Sequence, residues 1–299
     1  MALFEKVTRA KSKARIALIG ASGSGKTLSA LYLAYGFTGD WSKIALIDTE
    51  HERGRFYANR EDLGTGEFLY ASLTAPYSAE KYAQYVTEAA KVVGEDGVVI
   101  VDSLSHAWNG EGGVLDRKAE IAQRSNKNDY TAWDDAGQIQ NRLIDTILSV
   151  PSHTILTMRT KMAYAMEQND RGKMQPVKVG LEPVQRQGTE YEFDICLQID
   201  RTHTASVSKD TTFLDGFTGV ITPELGAQLR EFLSQGKNLP RCTDCNSVIT
   251  PTARKTVEEL IEGSENYFGR RLCYKCAAAA ARAEKEKKAS DEEVKTISE

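Results

Sequence analysis

The sequence predicts an α/β protein built on a mostly parallel sheet, with a small metal-binding module appended near its C-terminal end. Three observations predict it. Short apolar runs alternate with helical patterns from Lys13 to about Leu233, as the strands and covering helices of a parallel sheet do. A glycine-rich turn, Gly20-Ala21-Ser22-Gly23-Ser24-Gly25-Lys26-Thr27, joins an apolar strand to a helix. Two Cys-x-x-Cys pairs, Cys242/Cys245 and Cys273/Cys276, fall in the C-terminal fifth. A chain of 299 residues has room for one sizeable core and one small module. The expected boundaries are 1–235 for the core, 236–240 for a linker, 241–280 for the module and 281–299 for a charged tail, helical or disordered.

The elements follow in order. Apolar runs at 16–20, 43–48, 68–72, 98–102, 154–158 and 194–199 read as strands. The first feeds the glycine turn, and a helix follows it over 28–35. Ser78 is placed to cap a helix over 79–93, and Asp129 or Thr131 to cap one over 133–149. Thr222-Pro223 starts a short helix, with proline at its first position. The segment from Arg159 to Lys178 reads as a long, strand-poor loop.

Composition narrows the class. Apolar content of 41% and charged content of 27% are ordinary for a globular protein. A net charge of −4 argues against a globally basic nucleic-acid coat and leaves room for a local basic groove. No apolar run approaches the ~18–20 residues of a membrane span, and Met1-Ala2-Leu3-Phe4-Glu5-Lys6 is no signal peptide. The expectation is a cytoplasmic protein with no membrane partner. In such a reducing compartment the paired cysteines mean metal rather than disulfides, and the lone Cys196, in an apolar run, means a buried structural residue.

The chemistry starts at the glycine turn. Gly20, Gly23 and Gly25, with Ser22 and Ser24 between them, let backbone N–H groups face phosphate oxygens. Lys26 is spaced to reach the β- and γ-phosphates and Thr27 to ligate Mg²⁺, while the helix N-terminus adds its dipole. The strand at 98–102 ends in Asp102, the second acid a bound Mg²⁺ needs, and Ser103 can assist it. ATP hydrolysis also needs a group that orients or deprotonates water. Glu50 follows the strand at 43–48, whose C-terminal end should lie beside the glycine turn.

These residues carry a resemblance. Ile47-Asp48-Thr49-Glu50-His51, then Phe56-Tyr57-Ala58, the run 99–103 and the strand at 154–158 leading into Arg159-Thr160-Lys161 resemble the RecA family. The resemblance covers about 13–233 and implies a RecA-like P-loop NTPase core in which Glu50 activates water. More narrowly, 102–108, 190–194 and 207–210 resemble small phage-encoded RecA-like ATPases, some described as recombination or single-strand annealing proteins. That implies single-stranded DNA as partner, a homo-oligomer, and an associated single-strand-binding or other recombination protein. It also implies that Lys209 reaches a neighbouring subunit's ATP. The chain departs from RecA at the end of the strand 154–158, where Thr157 or Arg159 replaces a glutamine, and it shows no clear counterpart of the protomer-linking N-terminal segment.

For DNA, the cations Arg159, Lys161, Arg171, Lys173 and Lys178 interleave with Tyr164 and methionines in the 159–178 segment. Phosphates need charge and bases need flat apolar partners, so this pattern suits a single strand. Asn109-Gly110-Glu111-Gly112-Gly113 occupies the place of RecA's other DNA loop but lacks basic residues. In the module, Cys242, Cys245, Cys273 and Cys276 give four thiolates, a closed set for structural Zn²⁺. The 27 residues between the pairs accommodate a helix over 256–264. Two other readings compete with a DNA-dependent ATPase: a nucleotide-gated DNA-binding loader or mediator without significant turnover, and a zinc-containing nucleoside kinase.

Overall fold

A computed structural model describes residues 7–124, 129–168 and 174–297. Two compact units emerge, one formed by 12–233 and the other by 234–299 together with 1–11. The larger holds β1 (Arg15–Gly20), α1 (Lys26–Thr38), β2 (Ile44–Asp48), β3 (Leu69–Ser72), α2 (Ala79–Val93) and β4 (Val98–Asp102). There follow α3 (Ser105–Asn109), α4 (Val114–Arg124), α5 (Asp129–Ser149), β5 (His153–Gln168), β6 (Met174–Pro183), β7 (Ile195–Ile199), β8 (Thr204–Lys209), β9 (Thr218–Val220) and α6 (Pro223–Ser234). The smaller unit carries α7 (Val257–Phe268) and α8 (Tyr274–Ile297).

The strands lie in the order β3-β2-β4-β5-β1-β7-β8-β9. Those from β3 to β7 run parallel, and β8 and β9 return antiparallel. Parallel strands are covered on both faces, which is why β1, β2 and β4 are buried at every position. Alternation sorts their side chains. Ile16, Leu18 and Leu46 pack with Leu31, Leu33 and Phe37 of α1, while Ala17, Ile19 and Val101 pack with Tyr82 and Val86 of α2 and Leu143 of α5. Helix α1 is crossed by α6 at Gly36, where a Cβ would stand 2.0 Å from the Pro223 carbonyl oxygen. Ser78 caps α2 as expected, its hydroxyl accepting from the Lys81 N–H.

The main departure from the expected organisation is the 159–178 segment. It is not strand-poor: β5 runs on past Met158 to Gln168 and pairs antiparallel with β6. The signal is present in the alternation of large and small side chains through Met162-Ala163-Tyr164-Ala165-Met166, flanked by Asn169, Asp170 and Gly172, residue types that favour turns. A dense set of cations masks it. Arg171 and Lys173, expected at the DNA contact, lie outside the described residues. The edge strands β8 and β9 and the helices α3 and α4 are additions to the expected elements, and the charged tail continues α8 as one helix to Ile297.

At the base of β5, the Ala14 N–H donates to His153 Nδ1 (2.9 Å), which fixes a neutral ring. Burial pushes the His153 pKa down to about 3, with the charges of Lys13, Arg15 and Arg230 adding to it. Because the folded value lies below the unfolded one, the unfolded chain takes up this proton first. The contribution is intact above the unfolded pKa and is lost as pH falls below it. Unfolding by denaturant should therefore show about 1.4 kcal/mol less stability at about pH 5.5 than at about pH 7.5 from this group. His153→Asn, which offers an amide oxygen to the same N–H without titrating, should lose that increment.

Candidate active site and metal centre

The glycine turn sits at the C-terminal end of β1, and Gly25, with φ 86°, is the residue from which α1 starts. Only glycine serves there, since φ is left-handed and a Cβ would meet His203 Nδ1 at 2.8 Å. Gly23 is also left-handed (φ 81°), and no atom stands within 4 Å of where its Cβ would be. Ser22 and Gly23 form the exposed crest of the loop, while Ser24 and Lys26 are buried. The Lys26 Nζ donates to the Ala21 carbonyl oxygen (2.8 Å), so the ammonium is folded over the loop. Burial lowers its pKa, against the opposing charges of Asp102 and Glu50. The Ser24 Oγ is buried without a hydrogen-bond partner, as is the Ser103 Oγ beside Asp102. Orphaned hydroxyls in a glycine cradle at a helix N-terminus fit a polyphosphate and its hydrated Mg²⁺.

Asp102, at the end of β4, is fully enclosed. Its Oδ2 accepts from Thr27 Oγ1 at 2.5 Å, and its Oδ1 accepts from Thr157 Oγ1 of β5. Burial raises the Asp102 pKa, and the two hydroxyl donors oppose that shift. Thr49 couples β2 to the same strand end. Its N–H donates to the Asp102 carbonyl (2.7 Å), its Oγ1 accepts from the Ser103 N–H (2.9 Å), and it meets His106 Nδ1 at 2.7 Å.

Glu50 is presented by a turn built on Asp48. One Asp48 oxygen accepts from the Glu50 N–H (2.5 Å); the other accepts from the Gly54 N–H (2.8 Å) and the Tyr70 hydroxyl (2.9 Å). The Glu50 Oε1 is then gripped by Arg159 Nε at 2.6 Å. Burial pulls the Glu50 pKa upward, but the Arg159 hydrogen bond and charge, helped by Lys26 and His106, leave it below the ordinary value. Glu50 is thus an ionised carboxylate facing Lys26 and Asp102, able to orient water or accept its proton once Arg159 yields.

Gly20, Ser24, Gly25, Lys26, Thr27, Asp102, Ser103 and Glu50 therefore converge at the C-terminal edge of β1, β2 and β4. Arg159 joins them, because it pairs in register with Gly20 at the point where β5 leaves the sheet. Lys161 ion-pairs with Glu182 across the hairpin (3.3 Å). Tyr164 pairs in register with Lys178, which is exposed. Lys209 stands away from this site. It faces Cys196 in register, three residues before the end of β7, and donates to the Tyr191 carbonyl. Cys196 is buried and its thiol is pushed up to about 12 by that burial, in keeping with a structural role. Sequence reasoning missed three members. A polar Thr157 inside an apolar strand is a readable signal, and His106 falls within the run 102–108 that carries the resemblance. Nothing in the sequence marks His203, whose Nδ1 lies 3.0 Å from the Ser24 carbonyl oxygen.

In the smaller unit the Sγ atoms of Cys242, Cys245, Cys273 and Cys276 lie within 4.8 Å of one another. Cys245 and Cys273 approach to 3.7 Å, close to the ~3.8 Å edge of a sulfur tetrahedron around Zn²⁺. Ile249, Leu260 and Leu272 are this unit's buried apolar residues beside Cys242, a core too small to fold unaided. Thr256 and Glu259 close a capping box on α7, and the helix extends past the expected 264 to Phe268.

A phosphate cradle on the first strand of a parallel sheet, faced by a buried aspartate and a carboxylate from the next strand, makes this a P-loop nucleoside triphosphatase. Its relationship is more specific than that class: the AAA domain family matches residues 12–221, and the chain belongs to it. No curated protein matches the sequence. Among the described residues no helix is long and apolar enough to cross a membrane.

The metal centre makes a direct prediction. Purified protein should carry one zinc per chain by atomic absorption. A chelator should abolish hydrogen-exchange protection in α7 while leaving β1, β4 and β5 protected.

Proposed function

We propose that the protein is a single-strand-DNA-dependent ATPase acting in recombination or strand annealing. One observation carries the reading: the root of the β5–β6 hairpin is itself part of the nucleotide site. Arg159 lies beside Gly20 and grips Glu50 (2.6 Å), its N–H donates to Ser105 Oγ (2.9 Å), and its carbonyl accepts from Val184 (2.7 Å). Beyond that root the hairpin leaves Met162, Met166, Met174 and Leu181 exposed on the face that also carries Lys178. Bases find apolar partners there, and phosphates find cations.

In this reading the loop amides and Lys26 hold the β- and γ-phosphates, and Thr27 and Asp102 orient the Mg²⁺ shell. Bound Mg·ATP supplies the transferable phosphoryl group and neutralises its charge. Glu50 orients the attacking water and accepts its proton. Arg159 competes with that water for the same carboxylate, so a strand seated on the hairpin draws Arg159 away and frees Glu50. The position of Lys209, away from its own chain's site, supports a role toward a neighbouring subunit in a homo-oligomer.

Steady-state ATP hydrolysis with and without single-stranded DNA, with Lys26→Ala as the blank, tests the whole reading. DNA should stimulate turnover, and the blank should abolish it. ATP-gated DNA binding without turnover would make the protein a loader, and phosphorylation of thymidine would make it a kinase. Glu50→Gln should keep ATP binding and lower turnover by about 10²–10⁴-fold; unchanged turnover removes Glu50 from the mechanism. Separately, Lys161→Glu/Lys178→Glu should weaken single-strand binding and reduce its log–log salt slope by about 0.7 for each phosphate that is no longer neutralised. An unaltered slope places the strand elsewhere.

A further inference from the structure

An open groove of about 820 Å³ runs between α7 and α8 in the C-terminal unit. Helical spacing builds it: α7 turns Gly263, Tyr267 and Phe268 toward it, and α8 supplies Tyr274 and a floor of alanines. Tyr267 and Tyr274 are 65% and 62% exposed, so two large rings stand in water beside an apolar floor. Such a surface marks a binding site rather than a core. Arg254 and Lys255 line the same groove, and the Lys255 ammonium stands 3.8 Å from where a Gly263 Cβ would be. The turn that carries them is closed by Thr252, whose N–H donates to the Lys255 carbonyl (2.9 Å) and whose hydroxyl accepts from the Lys255 N–H (3.1 Å).

Charge is sorted around this groove. Helix α7 bears Glu258, Glu259, Glu262 and Glu265, yet no carboxylate lines the groove. Glu259 is held in the capping box, and Glu265 pairs with Arg271. Arg270 is likewise committed to Asp244 (2.8 Å) and Arg241 to the Asn246 carbonyl (2.9 Å). Among the described residues neither Arg254 nor Lys255 has an ion pair. Apolar walls alone would suit a partner helix. Two uncommitted cations beside two exposed rings, with acids excluded, suit a flexible polyanion that carries flat groups.

We propose that this groove is a second single-stranded nucleic-acid site, independent of the hairpin in the ATPase unit. Bases stack on Tyr267 and Tyr274, and Arg254 and Lys255 take neighbouring phosphates. The contact is tolerant of sequence, because every base offers a π-face and nothing in the groove reads base edges. The site is separate from nucleotide hydrolysis, so it stands or falls on its own.

The experiment uses the full-length, zinc-loaded protein and a single-stranded oligonucleotide bearing photoreactive 5-iodouracil. Cross-links should map to Tyr267 or Tyr274. Tyr267→Ala/Tyr274→Ala should weaken binding by about tenfold for each ring removed. Tyr267→Phe/Tyr274→Phe should restore it, because stacking uses the ring and not the hydroxyl. Arg254→Ala/Lys255→Ala, a surface change that leaves both helices intact, should lower the salt slope by about 1.4 for two phosphates. Zinc content measured on each variant separates misfolding from a change confined to the groove. Cross-links confined to residues 12–233, or binding unchanged in both alanine pairs, overturn the proposal. Recovery of an amphipathic peptide that binds the groove, with no oligonucleotide cross-link there, overturns it as well. The hairpin reading is scored apart: cross-links in the groove uphold this site whether or not Lys161 and Lys178 contribute.

Discussion

The buried carboxylate of Asp102 is the constraint on which the site depends. A charge enclosed at the end of β4 is tolerable only when donors surround it, and its donors come from two other elements. Thr27 belongs to the first turn of α1 and Thr157 to β5. Satisfying one side chain therefore fixes the phosphate loop against β4 and sets the height of β5 in the sheet. Through the register Gly20↔Arg159 the same constraint decides where the hairpin leaves the sheet, and so where Arg159 meets Glu50.

A second layer of polar fastening lies just outside. Thr49 joins the ends of β2 and β4, and Asp48 shapes the turn that carries Glu50. Neither residue is placed to touch a phosphate in this arrangement. They hold a carboxylate at a chosen distance from a cation, leaving Glu50 ionised yet occupied. The site is thus assembled and restrained by the same strand, β5, whose outer half forms the hairpin.

Much of this is legible in the sequence, and the remainder is hidden for physical reasons. The parallel core is readable because strands covered on both faces must be continuously apolar, as in 98–102, and the loop because its glycines serve a backbone geometry. The four cysteines are readable because thiolate spacing is local. The hairpin is easily misjudged since alternation of large and small residues competes there with a dense set of charges, and charges dominate a reading by composition. Lys209 is tied to a neighbouring subunit's ATP by resemblance alone, while strand register within one chain holds it away from that chain's own site. His203 is invisible because its contact with the Ser24 carbonyl joins residues far apart in sequence through a turn whose only local signal is a left-handed backbone.

The way the chain begins and ends its larger unit bears on how such a protein is assembled from parts. The Ser12 N–H donates to the Leu233 carbonyl at 3.1 Å, so the first and last residues of that unit are a hydrogen bond apart. A unit whose ends meet can be inserted into a loop of another protein, or permuted by joining those ends, with little strain on its sheet. The ATPase unit is in this sense a cassette. Whatever follows Leu233 can be exchanged by recombination between genes without disturbing a single strand of the core.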